Sequence, residues 1–298
     1  MKKGKIIAIT LAAAIAVTGI GIAIFSRDKI IDFGEIVIDG IPEKSDNAKR
    51  IMSFNVRCVD DKEGSVTNRS KIVTAIINQY LPDSFGVQEA TGRWMNILNE
   101  ALGEKYACVG EHRDEDPDSE YSAVFYLKDK FNLIDGGTMW LSDTPDVKYT
   151  KYEESACTRI ASWATLENKE SGEVYTHINT HLDHVSDTSR VLQAKVLKEK
   201  ISTFTNPFVC TGDFNTFESS EVYSTMLEIA DDTRKVAATS DEGTTFHDYG
   251  KITNEYETAI DYIFVPKDTK VDTHKIIRNT VMDMYPSDHY PIVADIIF

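Results

Sequence analysis

Cysteine is scarce in this chain. The 298 residues hold four, Cys58, Cys108, Cys157 and Cys210, with no Cys-x-x-Cys pair and no dense framework, so neither a zinc ribbon nor a disulfide-stapled miniprotein is encoded. The four read as buried thiols, because Cys58 and Cys210 lie in or beside apolar runs where free cysteine packs as a small hydrophobe; two disulfides stay open as an alternative. Positive charge is also in deficit: 32 Lys and Arg face 48 Asp and Glu, a net −16. The first thirty residues carry Lys2, Lys3, Lys5, Arg27 and Lys29 against Asp28 alone, a local +4 that leaves −20 on residues 31–298. A body this acidic repels a phosphate backbone, which disfavours broad electrostatic gripping of nucleic acid. No Gly/Pro/Ser-rich linker, repeat or low-complexity tract divides residues 49–298, which excludes solenoids and bead-like modules. With 42% hydrophobic residues the chain has enough apolar material for one large domain.

Long hydrophobic runs are absent but for one. After a basic Met1–Lys5, residues 6–25 are twenty uncharged, mostly apolar residues; at about 1.5 Å per helical residue they span roughly 30 Å, the thickness of a bilayer core. The run is longer than the apolar region of a cleaved signal peptide, and Gly21-Ile22-Ala23 makes a weak cleavage site. The expectation is an uncleaved signal anchor. Three lysines precede the span, and only Arg27 and Lys29, offset by Asp28, follow it, so the positive-inside rule sends the body outward. The organisation expected is therefore an anchor over residues 1–30, a spacer over 31–48 and a domain over 49–298, single-pass in the cell membrane with the domain extracellular and monomeric.

Within the domain, strands are expected at 50–56, 84–88, 122–127, 160–166, 174–180, 207–211, 260–265 and 290–297. Helices are expected at 70–80, around 94–102 and at 188–204, each with apolar residues three and four apart. Strands and helices alternate, the pattern of an α/β (or α+β) domain. Each strand runs into or adjoins a polar cluster: Asn55 in Ser-Phe-Asn-Val-Arg, Glu89 in Val-Gln-Glu-Ala, Asn179 and His181 in Asn-Thr-His-Leu-Asp-His, and Asp213 and Asn215 in Thr-Gly-Asp-Phe-Asn. Asp261 in Ile-Asp-Tyr-Ile-Phe and Asp288-His289 in Ser-Asp-His-Tyr-Pro complete the series. A lone Gly-Asp-x-Asn is commonly just a turn; several such clusters at strand ends instead point to one convergent polar rim. Its carboxylates and amides are hard oxygen donors suited to Mg²⁺ or Mn²⁺.

This ordered set of six motifs resembles the endonuclease/exonuclease/phosphatase superfamily over about Lys49–Phe298. Trp140-Leu-Ser-Asp-Thr-Pro, Thr158-Arg-Ile-Ala-Ser-Trp and Arg190-Val-Leu-Gln-Ala further resemble a bacterial, largely exported branch of it. The resemblance implies a four-layer sandwich, two facing β-sheets flanked by helices, with the site where the sheets open at one edge. It implies that Glu89, with Asn55 and Asp288, holds the metal, and that His289 paired with Asp261 forms a base-and-orienter dyad. It further implies that His181, oriented by Glu120, and Asn215 contact the phosphoryl group, and that Asp213 positions the attacking water or acts at the leaving oxygen. Arg113 and Arg159 are candidate phosphate contacts, and Asn179 a candidate substrate contact. Arg190 is expected to pack or cap its helix and His184 to be a solvated loop residue. Trp94 and Trp163 read as core, and Trp140 stays open.

Two departures from the family bear on substrate: the tyrosine that repair endonucleases place near the phosphate cannot be aligned, and no long basic loop is present. Residues 112–120 instead form an acidic loop, with Asp114, Glu115, Asp116 and Asp118. The expected function is a membrane-anchored extracellular Mg²⁺-dependent phosphoesterase acting on phosphate mono- or diesters of a small molecule or lipid headgroup. An extracellular nuclease, the same chemistry on a polyanion, is the alternative, and a catalytically inactive surface binding module is a further one.

Overall fold

The computed structural model describes residues 30–252 and 259–298. The expected anchor lies outside them, and among the described residues no helix is long and apolar enough to cross a membrane. In chain order the first elements are β1 (Lys49–Asn55), α1 (Val66–Tyr80), β2 (Ser84–Gln88), α2 (Gly92–Leu102), β3 (Tyr106–Val109), β4 (Val124–Leu127) and β5 (Phe131–Trp140). There follow β6 (Ile160–Asn168), β7 (Val174–His181), α3 (Asp187–Ile201), β8 (Phe208–Asp213), α4 (Glu221–Leu227) and β9 (Ala230–Asp232). The last are α5 (Thr233–Val236), β10 (Thr239–Ser240), β11 (Asp261–Pro266), β12 (Lys270–Ile276) and β13 (Ile292–Ile297).

The strands form two sheets, ordered β10-β12-β13-β1-β2-β4-β3 and β5-β6-β7-β8-β11-β9. Side-chain alternation along each strand explains the layering. On β8, Val209 points inward to the other sheet while Cys210 points outward under the α3–α4 pair; on β11, Ile263 and Phe264 divide in the same way. On the far side, Met52 and Phe54 of β1 and Phe85 and Val87 of β2 pack under Ile72, Val73, Ile76 and Ile77 of α1 and Trp94, Leu98 and Leu102 of α2. Three apolar layers thus separate four layers of secondary structure, the sandwich expected.

The segment expected to be a spacer is not one. The compact unit begins at Ile31, and residues 31–48 strap the outer face of α1. Ile31 N donates to Asn68 Oδ1 and Ile38 N to Gln79 Oε1, both at 2.9 Å, and Gln79 Nε2 donates to Ile36 O at 2.8 Å. Ile38 is buried, and Phe33, Ile36 and Ile41 pack against the same cluster. The apolar residues responsible, spaced irregularly among charges and glycines, follow no helix or strand period.

Between the sheets the inward face turns from apolar to polar toward one edge. A hydrogen-bonded chain crosses it: Tyr175 OH donates to Ser84 Oγ (2.9 Å), Ser84 Oγ to His177 Nδ1 (2.7 Å), His177 Nε2 to Thr211 Oγ1 (2.8 Å) and Thr211 Oγ1 to Asn179 Oδ1 (2.9 Å). Every member is satisfied only if His177 is neutral, and burial drives its pKa down to about 3. Gly86 makes the crossing possible, because a Cβ there would lie 2.2 Å from Asn179 Oδ1 and 2.4 Å from Thr211 Oγ1. Gly86→Ala is expected to cost about 3 kcal/mol, the scale of forcing atoms into a packed core. A urea midpoint equal to that of the parent would contradict this.

His274, which hydrogen-bonds Thr233 Oγ1 through Nδ1 at 2.9 Å, is likewise pushed down to about 3 by burial and then by the Arg234 charge. For such groups the unfolded chain takes up protons near pH 6.5 and the folded one does not until about pH 3, so stability is full above 6.5 and falls as pH falls through that window. Between pH 7 and 5 each of the two should remove about 2 kcal/mol. Urea titrations at the two pH values check it, and equal stabilities would contradict it.

Candidate active site

The site follows from register. The parallel pairs β1–β2 and β7–β8 end at the same edge, with Asn55 opposite Gln88 and His181 opposite Asp213, and antiparallel β11 begins there with Asp261 opposite Asp213. β1 and β2 face β7 and β8 across the interior, so the last inward residues of these strands converge. Of these, His181 and Asp213 line a cavity of about 500 Å³, together with Arg57, Cys58, Glu89, Arg113, Glu120, Cys157, Arg159, His184, Asn215, Phe246, Asp248, Asp288 and His289, while Asn55 and Asp261 bond its lining from behind.

Several loop residues reach it through left-handed backbone: Arg57 (φ 60°), Glu89 (φ 58°), Asn215 (φ 50°) and Asp248 (φ 43°). Outside glycine this conformation is uncommon and costs of order 1 kcal/mol or more per residue, and it clusters at functional sites. The strained loop after β1 is clamped by Arg69 of α1, which is fully buried. Its guanidinium donates to the carbonyls of Val56, Arg57, Val59, Gly64 and, across the site, Pro286, one acceptor for each of its five N–H groups. Trp94 Nε1 donates to Arg57 O and Trp140 Nε1 to Arg113 O, both at 2.9 Å. Trp140, open from sequence, thus holds a site loop. Trp163, expected in the core, is instead half-buried, with Nε1 on Asp135 and Lys200 Nζ 3.7 Å over its ring.

One wall is acidic. Glu89 accepts from Cys58 N (3.0 Å) and from Asn55 Nδ2 (3.1 Å). Burial alone would raise its pKa, but the Cys58 backbone N–H leads the contacts that bring it down to about 2. Asp288 is raised, by burial above all. Arg57 reaches toward both carboxylates without bonding either, at 3.8 Å from Glu89 Oε2 and 3.5 Å from Asp288 Oδ2, and its buried Nε has no partner. An ionised carboxylate and a second carboxylate facing one loosely held positive charge, with the Asn55 amide beside them accepting from Arg57 N and donating to Glu89 and Asp213, make a donor set that fits a hard divalent cation.

Behind that wall sits a charge-coupled group. His289 Nδ1 lies 2.9 Å from Asp261 Oδ2, which also accepts from Thr245 Oγ1, and His289 Nε2 lies 3.7 Å from Asp213 Oδ2. Burial opposes charge on His289, but Asp261, Asp213 and Asp288 together raise its pKa to about 10. Burial, then Asp261, raises Asp213 to about 7. Ligand-type atoms of Asp213, Asp261 and His289 lie within 4.8 Å of one another, so this cluster too could hold a metal ion, as could Cys157, Asp183 and His184.

The opposite wall is cationic, and here four expectations are corrected. Asn215 Nδ2 donates to His181 Nε2 (2.9 Å) and Leu182 O (3.0 Å), which uses both amide protons. It sets the His181 tautomer instead of donating to substrate. Glu120 lies 4.0 Å from His181 Nδ1, too far to orient it, because its carboxylate receives Arg113 NH1 at 2.7 Å. His181 Nδ1 is consequently buried and unpartnered. Asn179 does not reach the cavity: its Nδ2 is spent on Val87 O and Ala123 O, and its Oδ1 accepts from Gln88 and Thr211. His184 is exposed but accepts from Arg159 NH2 at 2.9 Å and so belongs to the wall. Arg190, as expected of a capping residue, donates to Asp183 O at the start of α3. All four cysteines are free, and only Cys210 is buried; Cys58 and Cys157, half-buried, line the cavity.

The profile of the Endonuclease/Exonuclease/phosphatase family matches residues 52–289. The chain belongs to that family. Solved structures from the endonuclease/exonuclease/phosphatase family agree. An endonuclease/exonuclease/phosphatase from Bacteroides vulgatus is 32% identical with a TM-score of 0.78, the match covering 84% of this chain and 98% of that one. The mannosyl-6-phosphatase of Bacteroides thetaiotaomicron is 28% identical with a TM-score of 0.77, covering 84% and 100%. The human Nocturnin catalytic domain, 21% identical with a TM-score of 0.67 over 85% and 94%, shares the fold. Among curated proteins none matches the chain. Membership makes the cavity the place to look for phosphoester chemistry. Arg57, Cys58, Phe246 and Asp248 escaped the sequence reading, although Arg57 and Cys58 directly follow the Asn55 motif and were within its reach.

Proposed function

We propose that the protein is a divalent-metal-dependent phosphoesterase, held in the cell membrane by residues 6–25 with its catalytic domain outside, that hydrolyses phosphate esters of a small molecule or lipid headgroup. The observation that carries this is the split cavity. Carboxylates backed by the Asn55 amide form one wall, unpartnered cationic and imidazole N–H groups form the other, and a His–Asp pair lies beside them. Glu89, Asn55 and Asp288 would hold the ion, Mg²⁺ or Mn²⁺, which supplies charge neutralisation at the phosphoryl oxygens. His181 Nδ1 donates to a phosphoryl oxygen. The 3.7 Å gap between Asp213 Oδ2 and His289 Nε2 is long for a direct hydrogen bond and suits a water bound to both. Asp213 receives that water's proton, and His289, charged and fixed in place by Asp261, orients the water by donating through Nε2.

Support for a small substrate comes from the charge of the body and from the likeness to a mannosyl-6-phosphatase along the whole of that chain. Few cations line the cavity, and an extended polyanion needs many. The test is turnover: full-length protein with Mg²⁺ should release phosphate or alcohol from at least one member of a panel of hexose phosphates, inositol phosphates and phospholipids. No turnover on the panel would overturn the reading. Placement is tested separately. Protease added to intact, wall-stripped cells should digest the domain, and full protection would contradict the charge-asymmetry argument.

A further inference from the structure

The cationic wall contains more binding capacity than the fold uses. Arg159 is 3% exposed, yet its Nε and NH1 have no hydrogen-bond partner. Its NH2 donates to His184 Nδ1 at 2.9 Å, a ring whose pKa partial desolvation and the Arg159 charge lower, so this contact does not offset the charge. Asp183, the nearest carboxylate, lies 4.0 Å from Nε and is occupied by the backbone N–H groups of Ala156, Val185 and Ser186. A buried guanidinium with two unpartnered nitrogens is costly to maintain. Arg113 stands by the same cavity with NH1 on Glu120 and its carbonyl fixed by Trp140. His181 Nδ1 supplies a second unpartnered buried donor on this wall.

From this geometry we infer that the protein is a phosphomonoesterase, and that Arg159 is the residue that selects a terminal phosphate over a phosphodiester. The inference rests on the phosphoesterase reading above. A monoester phosphate presents three free oxygens and up to two negative charges. One oxygen turns toward the Glu89–Asn55–Asp288 end, one meets His181 Nδ1, and the third meets Arg159 through NH1, a charge-assisted contact from a group that lacks an acceptor in the fold. A diester has two free oxygens and one charge. Its second ester group would sit where Arg159 seeks an acceptor, leaving those N–H groups buried and unpaired.

The experiment uses full-length protein in detergent with Mg²⁺ and compares p-nitrophenyl phosphate and a hexose 6-phosphate with bis(p-nitrophenyl) phosphate. The parent should favour monoesters. In Arg159→Met the monoester-to-diester ratio of kcat/KM should fall at least about 30-fold, and inhibition by orthophosphate should weaken at least about 10-fold, the scale of losing a buried charge-assisted contact. If thermal melting shows that Arg159→Met does not fold, Arg159→Lys decides on the same two readouts, since it keeps the charge and loses the directed NH1 donor: a fall in both supports the assignment. A parent that prefers the diester would overturn the monoester assignment alone. So would an equal fall on both ester classes with orthophosphate inhibition unchanged. Turnover of neither class by the parent would overturn the phosphoesterase reading and this assignment with it.

Discussion

Replacing His289 by alanine is expected to lower kcat/KM by about 10²- to 10⁴-fold, the scale of losing a positioned proton-transfer group, with the fold retained. The ring is buried, anchored through Nδ1 to Asp261 and packed at a tilt against Phe246, 5.0 Å between ring centroids, so its Nε2 has one direction available, toward Asp213. Alanine removes that group and leaves Asp261 facing a void that water can enter at the site edge. Initial rates together with near-UV circular dichroism check both halves of the expectation. Parental rates in the variant would remove the His–Asp pair from the mechanism.

Glu89→Gln should cost at least about 10³-fold, because a bound metal ion contributes several kcal/mol of charge stabilisation and glutamine keeps the shape of the ligand while discarding its charge. The charge is secure in the parent, since the Cys58 N–H and the Asn55 amide hold the carboxylate ionised. Chelation should abolish activity of the parent, and Mg²⁺ or Mn²⁺ should restore it. Calorimetric titration gives an independent readout, with the parent binding the ion and the variant binding it far more weakly. Full activity in chelator, or equal ion affinity in the two proteins, would contradict the assignment.

What the sequence made legible, and what it hid, has a consistent physical cause. Strands β1, β2, β7, β8 and β11 announce themselves because each is an apolar run that meets a polar residue at the edge of the sandwich, so one pattern marks both the strand and its contribution to the site. Strands at or next to a sheet edge carry no such mark. In β5, residues 132–136 are exposed and Gly136 and Gly137 interrupt the run, and β12, Lys-Val-Asp-Thr-His-Lys-Ile, is mostly polar because only Val271, His274 and Ile276 are covered. Asn179 shows the limit of motif reading. It shares the inward face with His181, but two residues back along a strand is about 7 Å deeper, and at that depth it bonds the other sheet instead of a ligand. Asn215 and Glu120 show another limit. Their residue types suit the roles the family implies, whereas their hydrogen bonds go to groups that residue type does not signal, the Leu182 carbonyl and the Arg113 guanidinium. Arg69 was available to reading, since a cation four residues before Val73 on the apolar stripe of α1 must find acceptors; the carbonyls it finds belong to two site loops.

The comparison of DNA with small esters tests the account most directly. At about 0.15 M ionic strength, where long-range charge effects are largely screened, kcat/KM should be measured with Mg²⁺ for plasmid and single-stranded DNA and for phosphorylated sugars, inositol phosphates and phospholipids. The account predicts that a small phosphate ester or lipid headgroup is turned over with the highest efficiency and that DNA is cleaved poorly or not at all. DNA as the most efficiently cleaved member of the panel would contradict it.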